Sequence, residues 1–159
     1  MSNLSNPTEL AEFLVKAKIV TYASGSDDFA VSPALPGAHQ LEYAAGEYLY
    51  RDFYYGGLHF IGLETAFRGG QAIWGMSYYG GVLPGGSDEQ IAGMPPVLKA
   101  ALREVPLAAP FRGPESFQKG EYHYQNEIHG DLFSFHGREV ISIQEQAIYQ
   151  LHYSGGMVE

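Results

Sequence analysis

Four polar residues set among aromatic ones are the first places where this sequence has material for chemistry. Arg51 and Asp52 lie in Tyr50-Arg51-Asp52-Phe53, and His59 and Glu64 lie in Leu58-His59-Phe60-Ile61-Gly62-Leu63-Glu64. A buried Arg or Glu needs a partner. Opposite charges on adjacent strands pair readily, which would join Arg51 to Glu64; otherwise Arg51 can hold a ligand carboxylate or phosphate in a bidentate grip. Glu64 within hydrogen-bond reach of His59 or His123 would make an acid–base pair of the kind hydrolases and isomerases use.

The chain has 6 histidines, densest in Glu121-Tyr122-His123-Tyr124-Gln125-Asn126-Glu127-Ile128-His129. On a strand His123 and Glu127 share a face but stand about 13 Å apart, at roughly 3.3 Å per residue, too far to ligate one ion. A set assembled across strands from His59, His123 and His152 has no support in spacing, and His39, His129 and His136 lie close to glycines and read as turn markers. No metal or cofactor is called for.

Aromatic residues supply a different kind of site. With 12 Tyr, 9 Phe and 1 Trp, the chain has large side chains that suit strands and pocket walls alike. In residues 71–78, strand alternation puts Ala72, Trp74, Met76 and Tyr78 on one side, either as a wall for a flat apolar ligand or as ordinary core. An aromatic residue before a glycine pair recurs in Tyr54-Tyr55-Gly56-Gly57, Tyr78-Tyr79-Gly80-Gly81 and Tyr153-Ser154-Gly155-Gly156. This is either a rim where ligand approaches backbone closely or a set of hairpin turns and bulges. The ligand-binding candidates are therefore Tyr50, Arg51, Tyr55, Trp74, Met76, Tyr78 and Tyr124. The catalytic candidates are Glu64, His59 and His123.

Familiar catalytic signatures are missing. There is no Gly-x-Ser-x-Gly elbow, no Gly-x-x-x-x-Gly-Lys-Ser/Thr phosphate loop and no strand-linked Gly-x-Gly-x-x-Gly. Paired carboxylates can be drawn from Glu42, Glu47, Glu64 or Glu127, but one sequence does not place two of them at working distance. A formal net charge of −9 repels phosphate backbones and anionic lipid, so neither nucleic acid nor a membrane surface is an expected partner. With no Cys there is no disulfide frame or thiol nucleophile. The start of the chain lacks the basic and apolar regions of a signal peptide, and no stretch approaches the roughly 20 apolar residues of a membrane span. A cytoplasmic protein is expected. Its partners are a small molecule and, through an exposed strand edge, a second copy of itself as a homodimer.

The elements that must position these residues follow from periodicity and breakers. The chain is expected to form a single domain, 1–159. Asn6, Pro7 and Glu9 start a helix over 7–18 whose buried stripe is Leu10, Phe13, Leu14 and Ala17. A strand at about 19–23 follows, then a loop over 24–37, then an antiparallel meander to Tyr79 broken at Ala45-Gly46, Gly56-Gly57 and Gly69-Gly70. After a glycine-rich connector, a second helix is expected over 95–105, and residues 107–120 hold too many breakers for regular structure. A second meander spans 121–153, with strands at about 121–128, 132–135, 139–143 and 147–153 and turns at residues 129–131, 136–138 and 144–146. Runs of strands with single helices between them give an α+β fold, a curved antiparallel sheet of about six to eight strands with two main helices packed on one face. The second helix then closes an aromatic pocket against the sheet.

Several strings point further: Gly46-Glu47-Tyr48-Leu49-Tyr50-Arg51-Asp52, Ile73-Trp74-Gly75-Met76-Ser77-Tyr78-Tyr79-Gly80, Phe111-Arg112-Gly113-Pro114-Glu115, Gly120-Glu121-Tyr122-His123-Tyr124 and Tyr153-Ser154-Gly155-Gly156. With these the sequence resembles a bacterial family, domain of unknown function fifty-six eighty, over almost the whole chain from about Leu10. The resemblance carries no catalytic or binding residues with it. Some members of that family carry a repressor-type helix-turn-helix at the N-terminus, which makes the domain a regulatory or ligand-sensing partner there. About 20 residues precede the first expected strand here, too few for such a module, so direct reading of DNA is not implied.

Overall fold

In the computed structural model, which describes residues 6–158, a single antiparallel sheet is backed by helices. Helix α1, Pro7–Val20, starts as its sequence dictates: the Asn6 side chain accepts from the Thr8 N–H at 3.1 Å, and Pro7 occupies the first turn. It runs past Lys18, and a 3-10 turn at Tyr22–Ser24 stands where a strand was expected over 19–23. The helical stripe simply continues, since Lys18 and Thr21 stay buried, and the Thr21 hydroxyl donates back to the Ala17 carbonyl at 2.7 Å.

Strands β1 (His39–Ala45), β2 (Tyr48–Gly56), β3 (His59–Arg68) and β4 (Gln71–Val82) form the first meander. Helix α2 spans Asp88–Leu102, starting well before the expected 95–105. Ser87 and Gln90 form a reciprocal capping box, a stronger start signal than the prolines that follow. Pro95 and Pro96 lie inside the helix. They remove two backbone donors, but burial of Met94, Val97, Leu98 and Ala101 holds the helix on the sheet.

The second meander is β5 (Ser116–Lys119), β6 (Tyr122–Asp131), β7 (Ser134–Ile143) and β8 (Gln146–Met157). Three expectations change here. The breaker-rich connector contains a short strand, β5; residues 129–131 are the end of β6, so the turn falls at Leu132-Phe133, where a strand was expected over 132–135; and residues 136–138 lie inside β7 rather than in a turn. Gly137 is there for packing: a Cβ on it would meet the Tyr153 ring at 2.3 Å.

The sheet has 8 strands in the order β1-β2-β3-β4-β8-β7-β6-β5, all pairs antiparallel. The α+β architecture with a sheet covered on one face is as expected. It is also two helix-plus-meander halves joined where β4 meets β8, and the register there has an approximate two-fold symmetry. Tyr78 pairs with Tyr153, Met76–Gly155 mirrors Gly80–Leu151, and Trp74–Met157 mirrors Val82–Tyr149. The sequence carries the same repeat: residues 46–52, GEYLYRD, answer to 120–126, GEYHYQN, and 71–81, QAIWGMSYYGG, to 146–156, QAIYQLHYSGG.

Alternation along each strand sorts side chains to two faces. The inner face, under the helices, carries Tyr50, Trp74, Met76, Tyr124, Ile141, Tyr149 and Leu151, all buried. On the outer face Ile61, Leu63 and Tyr79 are about half exposed, at 54%, 47% and 58%.

Candidate functional site

Among the described residues five Lys, Arg, Asp or Glu side chains are buried on the inner side, an arrangement that costs free energy unless each is paired or functional. Lys18 comes from α1, Asp52 from β2, Glu64 from β3, Glu139 from β7, and Arg112 from the segment after α2. Strand register explains the carboxyl cluster: Asp52 and Glu64 are directly opposite on β2 and β3, as Asn126 and Glu139 are on β6 and β7.

In the second half both oxygens of the Glu139 carboxylate are bonded. Arg112 donates through Nε and Nη2 to the two Glu139 oxygens at 3.1 and 2.6 Å. The hydroxyls of Tyr124 and Tyr149 donate to the same carboxylate at 2.7 and 2.8 Å. Asn126 donates to the Gly113 carbonyl at 2.9 Å and accepts from the Tyr153 hydroxyl at 2.8 Å. Burial alone would lower the Arg112 pKa, but Glu139 holds it well above the usual value.

The first half repeats this plan with an opening. Lys18 donates to Glu64, and the Tyr78 hydroxyl donates to Asp52 Oδ1 at 2.7 Å. Burial first, and Glu64 second, push the Asp52 carboxyl up to about 7, against the opposing effects of Tyr78, Lys18 and Arg112. Burial likewise lowers the Lys18 pKa although Glu64 opposes it, and it raises Tyr50 and Tyr78 well above the usual phenol value. Beside this group lies a cavity of about 270 Å³. Lys18, Asp52, Glu64, Tyr78 and Arg112 line its polar end, and Tyr50, Tyr54, Phe60, Leu102 and Phe111 its apolar sides. The β2–β3 turn at Gly56-Gly57 and the residues around Tyr22 complete the wall.

The expected site residues divide between this cavity, the core and the outer face. Tyr50, Glu64 and Tyr78 line the cavity. Trp74 and Met76, both at 0% exposure, are core between sheet and helices: Trp74 stacks on Phe135 with ring centroids 5.7 Å apart, and its indole Nε1 is buried without a partner. Tyr124 is committed to Glu139. Tyr55 and Arg51 belong to the outer face, where Tyr55, Ile61, Leu63 and Tyr79 border a shallow groove.

Arg51 does not pair with Glu64. Its register partners are Glu42 and Thr65, one residue out of phase with Glu64, so the two side chains leave opposite faces. Arg51 donates instead to Glu42 at 2.7 Å, and Glu64 receives Lys18. The Glu64–histidine pairs are not formed either. His59 is exposed, with Nε2 3.0 Å from the Val82 carbonyl, and His123 Nε2 lies 3.0 Å from the Ser116 hydroxyl. Among the described residues no three His, Asp or Glu side chains are grouped as metal ligands.

Lys18, Arg112 and Glu139 were not among the expected site residues. Lys18 reads as the last polar residue of an amphipathic helix, and Arg112 lies in a segment with no periodicity. The signal for Glu139 was the internal repeat, which aligns Gly62-x-Glu64 with Gly137-x-Glu139. The same alignment shows that two of the three aromatic-Gly-Gly strings, at Tyr78 and Tyr153, are equivalent, whereas the string at Tyr54 ends in a β-turn.

Fold and site together define an α+β domain with one helix-covered antiparallel sheet and a buried ionisable cluster beside an inner cavity. The chain belongs to the family described as domain of unknown function (DUF5680), whose family model matches residues 52–158. That span holds Asp52, Glu64, Tyr78, Arg112 and Glu139, and leaves α1 with Lys18 outside. No curated protein and no solved structure matches the chain.

Proposed function

We propose that this chain is a small-molecule-binding domain whose ligand occupies the cavity between the inner face of the sheet and the two helices. The observation that carries this reading is the contrast between the two halves. In the Arg112–Glu139 set the carboxylate is enclosed by four donors and only Arg112 reaches the cavity, while the matching Lys18–Glu64–Asp52 set borders open space walled by Tyr50, Tyr54, Phe60 and Phe111. A cavity with mostly apolar sides and a few convergent polar groups is the usual form of a small-ligand site, and its volume of about 270 Å³ suits a compact molecule.

The test is a thermal-shift screen against a broad metabolite library. A ligand at about 100 times its dissociation constant adds roughly 2.7 kcal/mol of stability. The expected hit is lost in Val105→Trp, which places bulk at the lining of the cavity. Shifts that survive this substitution, or a library with no hit, overturn the reading.

A second reading is proton-transfer chemistry. Its support is a carboxyl raised to about 7 beside a second carboxyl, Asp52 and Glu64, which is the pattern of a general acid–base pair. Under it the histidines play no part. Turnover that persists in Asp52→Asn would exclude it.

A further inference from the structure

The charges buried at the inner end of the cavity do not cancel, and the remainder identifies the ligand. Lys18 and Glu64 form one salt bridge and Arg112 and Glu139 another. Each pair is neutral as a unit, whichever partner holds a shared proton. Asp52 is left over. It accepts a single hydrogen bond, from Tyr78 to Oδ1, and no described residue donates to its other oxygen. Its counterpart in the second half is the neutral Asn126, whose amide nitrogen donates to Gly113 and whose oxygen accepts from Tyr153. The half that encloses the cavity thus carries an extra carboxyl where the closed half carries an amide.

We propose that the cavity receives a small organic monocation, an amine or amidine whose nitrogen meets the free oxygen of Asp52 while its apolar body lies among Tyr50, Tyr54, Phe60 and Phe111. A cation there balances the carboxyl that the two buried salt bridges leave over, and aromatic faces favour cations at short range. This inference rests on the binding reading above and adds the class of ligand.

The pH dependence follows from the groups that face Asp52. Tyr50 and Tyr54 lie on its own strand, Glu64 on β3, Tyr78 on β4, Lys18 on α1, Tyr22 on the 3-10 turn, and Arg112 on the segment after α2. Lys99 and His39 line the mouth, where both keep contact with solvent. With Asp52 titrating at about 7, it is mostly neutral at pH 6 and mostly ionised at pH 8, so a permanent cation binds about tenfold more tightly at pH 8.

The experiment is titration calorimetry of the full chain with benzylamine and benzamidine, and with benzyl alcohol and benzoate as neutral and anionic counterparts, at pH 6 and pH 8. Expected are binding of the cations only, about tenfold tighter at pH 8, and loss of both the binding and its pH dependence in Asp52→Asn, whose fold is checked by its melting curve. Benzyl alcohol or benzoate binding as well as the amines overturns the inference and leaves the binding reading standing. The same holds if none of the four binds while the library screen finds another occupant that Val105→Trp displaces. If none binds and that screen is also flat, both fall.

Discussion

Tyr78 and Tyr153 face each other across the central strand pair, and each reaches back over its neighbouring strand to the polar residue at the same place in its own half: Tyr78 to Asp52 at 2.7 Å, Tyr153 to Asn126 at 2.8 Å. The two bonds have the same geometry and different chemistry. One donates to a carboxyl that titrates near neutrality, the other to an amide that does not titrate.

Substituting each tyrosine by phenylalanine separates them. Tyr153→Phe is expected to cost about 1 kcal/mol at any pH, as for a neutral hydrogen bond. Tyr78→Phe should cost a similar amount at pH 5 and roughly 1.5–3 kcal/mol at pH 8, where its partner is charged. Urea denaturation at both pH values measures the difference. Equal, pH-independent losses would show that Asp52 does not ionise in this range.

Asp52 itself works against stability above neutrality. Its folded pKa of about 7 lies above the ordinary carboxyl value of 3.8. The folded state therefore binds more protons, and stability falls as pH rises from about 4 to 7 and then levels off. Asp52→Asn should match the parent at pH 4 and melt roughly 10 °C higher at pH 8, each pKa unit being worth about 1.4 kcal/mol and each kcal/mol about 2–4 °C in a chain of this size. Melting curves of the two proteins across this range check the sign. Subtracting one from the other removes the exposed carboxylates, which affect both alike.

The Arg112–Glu139 pair is a different case because its carboxylate serves four donors. Arg112→Met is expected to cost about 3–5 kcal/mol by stranding a buried carboxylate. Adding Glu139→Leu should recover only part of this, since Tyr124 and Tyr149 then lose their acceptor. Chemical denaturation of the single and double variants reads the recovery directly, and a double variant as stable as the parent would show that the phenols find other partners.

How much of this was legible in the sequence depended on whether the signal was local. Asn6, Pro7 and the apolar stripe of α1 fix its start, and Gly69-Gly70 fixes the β3–β4 hairpin, because caps and two-residue turns act within a few residues. The outer-face position of Arg51 depended on strand register, which a single strand does not reveal. Gly137 looked like a turn because glycine allows one; its actual reason, the Tyr153 ring lying across it, is a contact between different strands. Lys18 and Arg112 reach the site only through the packing of α1 and the connector on the sheet. The cross-half repeat was present in the letters and would have paired Glu64 with Glu139.

The β7–β8 turn marks one difference between the halves. Gly69 and Gly70, at φ 55° and 83°, turn β3 into β4; at the matching place Gln144 and Glu145 adopt φ 48° and 67°. A residue with a Cβ pays roughly 1–2 kcal/mol in this region. Replacing Gln144-Glu145 by Asn-Gly should therefore raise stability by about 1 kcal/mol, measured by urea denaturation. No gain would mean that the side chains of Gln144 and Glu145 compensate elsewhere.

Gly62 and Gly137 give the sharpest test of why the tyrosines can reach across. A Cβ on Gly62 would lie 2.2 Å from the Tyr78 hydroxyl and 2.5 Å from the Phe53 carbonyl, and one on Gly137 would lie 2.3 Å from the Tyr153 ring and 2.7 Å from the Glu127 carbonyl. Both contacts include backbone, so rotating the tyrosine away does not relieve them. Gly62→Ala and Gly137→Ala should each cost about 1–3 kcal/mol as overpacking. Gly57→Ala, where nothing lies within 4 Å, is the control and should be close to neutral. At Gly62 the displaced Tyr78 also loses its grip on Asp52, so that variant alone should gain the stronger pH dependence between pH 5 and pH 8 expected of a carboxyl without its donor. If Gly62→Ala and Gly137→Ala respond to pH alike, the tyrosine bridge to Asp52 is not what sets that titration.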